Sequence, residues 1–64
     1  MPPGAIRQLL TEHGVEPSDI HAEDAGEGQV KLSGKRIADE TGQHSVVLSD
    51  DEAMDTVKKL LPRK

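Results

Sequence analysis

No Phe, Tyr, Trp or Cys occurs among the 64 residues, so whatever this chain folds into must be held by aliphatic side chains alone. The supply is Ile6, Ile20, Ile37, Leu9, Leu10, Leu32, Leu48, Leu60, Leu61, Val15, Val30, Val46, Val47 and Val57, with Met54 beside them. A buried aliphatic contributes roughly 1.5–3 kcal/mol, and aromatics normally provide the largest single burials. A core built without them in so short a chain is thin. Two outcomes follow: a compact fold of small net stability, or a fold completed by a partner. Sequence does not choose between them.

The same absences narrow function. Single-stranded nucleic-acid modules stack bases on aromatics, zinc modules need thiolates, and disulfide scaffolds need cysteine pairs. The net charge of −4 disfavours generic attraction to phosphate backbones or anionic lipid. No stretch approaches the ~18 apolar residues of a membrane span, and the start, MPPGAIRQ, lacks the basic-then-apolar pattern of a signal peptide. A cytoplasmic location is the expectation, without a membrane partner.

Along the chain, Met1-Pro2-Pro3-Gly4 is a cluster of helix breakers, and residues 1–4 are expected to be disordered. A single domain is expected over 5–62, with a basic end at 63–64. Ile6, Leu9, Leu10 and His13 fall at i, i+3, i+4 and i+7, one face of a helix. Gly14 suits its left-handed cap, with Val15 folding back on Leu10, and Pro17 forbids continuation. From Asp19 the period becomes two: Ile20 and Ala22 alternate with Asp19, His21 and Glu23, as in a half-buried strand. The loop Asp24-Ala25-Gly26-Glu27-Gly28 follows, then a second strand in which Val30 and Leu32 alternate with Gln29, Lys31 and Ser33.

Gly34 breaks that parity, because Ile37 falls on the opposite face. Either a bulge at Gly34 restores Ile37 to the core, or Ser33-Gly34 turns into a separate strand. Glu40-Thr41-Gly42-Gln43 reads as a hairpin turn, and His44–Leu48 as a β-branched strand. Ser49-Asp50-Asp51-Glu52 is a capping box opening the last helix, whose stripe is Ala53, Met54, Val57, Leu60 and Leu61. Acidic residues crowd its start, Lys58 and Lys59 its end, and Pro62 stops it. The order α-β-β(-β)-α, with both helices on one face of a small antiparallel sheet, gives an α+β two-layer helix–sheet sandwich.

Chemistry finds little purchase. His13, His21 and His44 share no compact spacing, so no metal site is expected, although Asp19 and Glu23 stand on the strand face of His21. Ser33, Ser45, Thr41 and Ser49 could be paired with His21 or His44 only by chance, and no nucleophile elbow, phosphate loop or paired-carboxylate signature is present. The expectation is a non-enzyme without cofactor. Charge is more informative. No Lys or Arg lies between Arg7 and Lys31, while Glu12, Glu16, Asp19, Glu23, Asp24 and Glu27 fall in that interval. A solvated surface is the plain reading. The sharper one is an acidic lobe, centred on Glu23, Asp24 and Glu27, that docks on another protein or on a second copy in a homodimer. The alternative is nucleic-acid contact through Lys31, Lys35, Arg36, Lys58 and Lys59.

Over Ile6–Gly34 the helix, the Pro17-Ser18-Asp19-Ile20 lead into a strand, and Val30-Lys31-Leu32-Ser33-Gly34 resemble the first half of a BON domain. That resemblance implies a long helix almost directly after Gly34 and an envelope lipid- or protein-binding role. The strand read over Gln43–Leu48 departs from it. An α-β-β-β-α order is also similar to double-stranded-RNA-binding domains, to small mRNA-interferase toxins and to some phage head–tail connectors. The first of these would place lysines where Asp50, Asp51 and Glu52 stand.

Overall fold

The computed structural model describes residues 3–61, with the side chain of residue 3 left aside. Among them the order is α1 (Pro3–Glu12), β1 (His21–Asp24), β2 (Gln29–Ser33), α2 (Lys35–Thr41), β3 (Ser45–Ser49) and α3 (Asp50–Leu60). The strands form one antiparallel sheet in the order β1-β2-β3. Helices and sheet make the expected α+β two-layer packing, with α2 as an addition. Ile6 and Leu10 of α1, Ile37 of α2, and Ala53 and Val57 of α3 share one buried cluster with Ile20, Ala22, Val30 and Leu32.

The helix ends follow their sequence signals closely. At the end of α1 the Val15 amide donates to the Leu10 carbonyl at 2.9 Å and the Gly14 amide to Thr11 at 3.0 Å. Gly14 has φ +72. This is the Schellman pair of bonds, and Val15 packs against the core as expected. Ser49 caps α3, its Oγ accepting from the Glu52 amide and donating to Glu52 Oε1, each at 3.2 Å. α1 begins earlier than expected. Pro3 and Gly4 are already helical, and proline at a first helical position gives up an amide that would have no partner anyway. Of the expected disordered 1–4 segment, Met1 and Pro2 lie outside the described residues, as do Pro62 and the basic end at 63–64. Leu61, just ahead of Pro62, is extended at φ −65 and ψ 144, the conformation a following proline favours.

The segment 33–44 differs from its reading. Gly34 is neither a bulge nor a turn into a separate strand: it stands before α2, a seven-residue helix within the β2–β3 connection. The first orphan amides of α2 are satisfied from outside, Lys35 donating to Ser18 O and Arg36 to Asp19 O, both at 3.0 Å. The helix that follows Gly34 has seven residues, not the long one that the BON-domain resemblance implies. Thr41-Gly42 is the end of that helix, not a hairpin turn. Gly42 takes φ +78 and donates to Ala38 O at 2.8 Å, and Thr41 Oγ1 donates to Ile37 O at 2.7 Å. Asp19 also leaves the strand expected for it. Its amide and that of Ile20 both donate to Glu16 O, closing a turn, and β1 begins at His21.

Candidate interaction surface

The period of two sorts each strand into a covered and an open side. Ala22, Val30 and Leu32 are fully buried under the helices, and Val46 and Leu48 on the same side are half-buried. The register puts the other residues in rows across the open face. His21, Ser33 and Ser45 form one row, Glu23, Lys31 and Val47 the next, and Gln29 and Ser49 a third. Val47, at 53% exposure, is the exposed large hydrophobic residue of the described chain.

Two bonds fix which backbone groups face outward. Ala25 donates to Gln29 O, and Asp50 donates to Gly28 O. With the observed register, odd-numbered β2 residues therefore bond to β1 and even-numbered ones to β3. The outer edge of β1 presents the amides and carbonyls of Ala22 and Asp24. The outer edge of β3 presents those of Ser45, Val47 and Ser49.

The acidic residues singled out from sequence gather at the β1–β2 end of this sheet. Glu23 is exposed on the open face, with Oε1 at 3.5 Å from Nε2 of His21. Asp24 folds its carboxylate over the turn, Oδ1 accepting from the Gly26 amide at 3.2 Å, and Glu27 is exposed at the turn itself. Opposite charge stands across from Glu23 at Lys31, their strand partners in register.

Lys31 stands apart from the other four basic residues. Lys31 belongs to the open face, whereas Lys35 and Arg36 belong to α2 and Lys58 and Lys59 to α3. Arg36 Nη1 donates to the Leu60 carbonyl at 2.5 Å, closing the end of α3, and Lys59 Nζ lies 3.2 Å from Glu40 Oε2. These are ties between α2 and α3. The histidines are also apart: the ring of His13 reaches Leu9 O at 3.0 Å, His21 meets Glu23, and His44 is exposed just before β3. Among the described residues no group of three or more His, Cys, Asp or Glu side chains could hold a metal ion. A shallow cleft of about 170 Å³ lies between α1 and β1, lined by Leu10, Val15, Pro17 and Ile20 with Arg7 and His21.

Sequence reasoning placed Glu23, Asp24 and Glu27 together, beside an open sheet face or an exposed strand edge, but did not single out the edge of β3. Its signal was present: Ser45–Ser49 is a run without charge in a chain that is 31% charged. No family model, curated protein or solved structure matches the chain. No described helix is long and apolar enough to cross a membrane.

Proposed function

We propose that this chain is a small non-catalytic domain that acts by binding another protein, through the open sheet face and its acidic β1–β2 end. The observation that carries the reading is the uncovered row of Glu23, Lys31 and Val47, bordered by Asp24 and Glu27 at the turn. A protein partner suits it because the row mixes a carboxylate, an ammonium and an aliphatic side chain. Without aromatic anchors, affinity must rest on charge and aliphatic shape. A cysteine-free chain is compatible with the reducing cytoplasm, where we place it.

Nucleic-acid contact has weaker support. Arg36 and Lys59 are engaged between helices, and Lys31 lies on the opposite layer from Lys35 and Lys58, so the five basic residues do not form one stripe. Affinity capture from the source lysate, with the wild type beside Glu23→Lys, Asp24→Lys and Glu27→Lys, tests the proposal. The expected result is a specific captured protein that the reversals release while far-UV circular dichroism stays unchanged. Retention of the same protein by all three variants would refute the acidic surface. Tight, steeply salt-dependent binding to short duplexes would favour the nucleic-acid reading instead.

A further inference from the structure

The two edges of the sheet are unlike. β1 carries His21, Glu23 and Asp24, so a second β1 laid against it would bring carboxylates together. β3 reads Ser45-Val46-Val47-Leu48-Ser49, with no charge and no proline, the devices that normally keep an exposed edge from pairing. Its composition is nearly symmetric about Val47, and the outward backbone groups are those of Ser45, Val47 and Ser49, which are symmetric about Val47 as well.

We propose that β3 pairs antiparallel with β3 of a second copy of this chain, about a two-fold axis through Val47. In that register Val47 meets Val47, Ser45 meets Ser49, and Val46 meets Leu48. The outward amides and carbonyls then face their own counterparts, which is what an isologous contact requires. Both sides of the strand gain. On the open face the exposed Val47 side chains cover each other, between the flanking Lys31 of each copy. On the helix side, the half-buried Val46 and Leu48 of one copy close over those of the other and extend the thin core across the junction. Extending the same register past the strand brings exposed His44 of each copy toward Asp50 at the start of the other's α3. The acidic β1–β2 turn lies away from this edge, so the dimer goes beyond the binding role proposed above; Val47 and Lys31 are shared with that open-face row, and the reversals at Glu23, Asp24 and Glu27 test the partner contact separately from the dimer.

Sedimentation of the full chain over a concentration series tests the pairing. The expected result is a reversible monomer–dimer equilibrium that Val47→Lys shifts toward monomer, raising the dissociation constant by about tenfold or more. Glu23→Lys, on the opposite edge, should leave the equilibrium unchanged. A wild-type monomer at every concentration up to millimolar overturns the proposal, as does a dimer indifferent to Val47→Lys. Should that variant fail to fold, a sample mixing isotope-labelled and unlabelled copies decides. Contacts between Val47 methyls of different copies are expected, and a dimer without them overturns the pairing.

Discussion

A methyl group on Gly34 would come within 2.4 Å of the carbonyl oxygen of Asp19, in the turn that leads into β1. The glycine also holds φ +119, a backbone state that side chains rarely adopt. Backbone strain and steric overlap therefore act at one position. Gly34→Ala is expected to destabilise the fold by about 2–4 kcal/mol. Gly28→Ala is the comparison, with φ +65 but open space around the added carbon, and should cost about 1 kcal/mol. Urea unfolding followed by far-UV circular dichroism measures both. Equal losses would mean that the approach to Asp19 contributes nothing.

Ile37 is fully buried although α2 is short and largely exposed. Ile37→Ala should cost about 2–4 kcal/mol, the range for truncating a packed isoleucine. Val47→Ala, on the open face, should change the stability of the monomer by about 0.5 kcal/mol or less. Matching effects at the two sites would argue that α2 does not pack as described.

The guanidinium of Arg36 closes the C-terminal end of α3 at Leu60. Removing it in Arg36→Ala frees a carbonyl that water can reach, so the expected loss is about 0.5–1.5 kcal/mol. The specific consequence is fraying. Amide exchange in the last turn of α3 should quicken, while exchange at Ala53 and Met54 stays close to that of the wild type. Uniform acceleration along α3 would show that Arg36 supports the whole helix instead of its end.

Ser49 both ends β3 and caps α3. Ser49→Ala should cost about 1 kcal/mol, and Ser49→Asp, which keeps an acceptor for the Glu52 amide, should recover part of it. If Ala and Asp unfold at the same urea concentration, the cap bond is not what stabilises the residue.

The features that sequence revealed are those whose partners are near in the chain. The Gly14 amide donates to Thr11 within one helical turn, Ser49 meets Glu52 three residues on, and the alternation of Val30 and Leu32 needs only β2 itself. The meeting of His21 and Glu23 was legible for the same reason, both side chains standing on one side of a short strand. α2 was not. It has a single fully buried residue, so it carries no recurring apolar stripe, and its N-cap is a glycine without a capping side chain. Its first amides find their acceptors at Ser18 and Asp19, far back in the chain. The parity break at Ile37 was the available trace, and it was equally consistent with a bulge. Of the candidate surface, the acidic residues were visible as a charge interval, whereas the engagement of Arg36 and Lys59 between α2 and α3 depends on packing that no local pattern encodes.

The two bonds from α2 back to Ser18 and Asp19 also couple this helix to the turn that follows α1. Seven residues are too few for a helix to persist alone, and this one has no side-chain cap at its N-terminus. Its stability is therefore expected to depend on the closed turn after α1, with Gly34 resting against it. On unfolding, the turn and α2 should open together as one cooperative unit, before the sheet gives way. A chain with so little core thus places its least autonomous helix under the control of a turn that lies before the first strand.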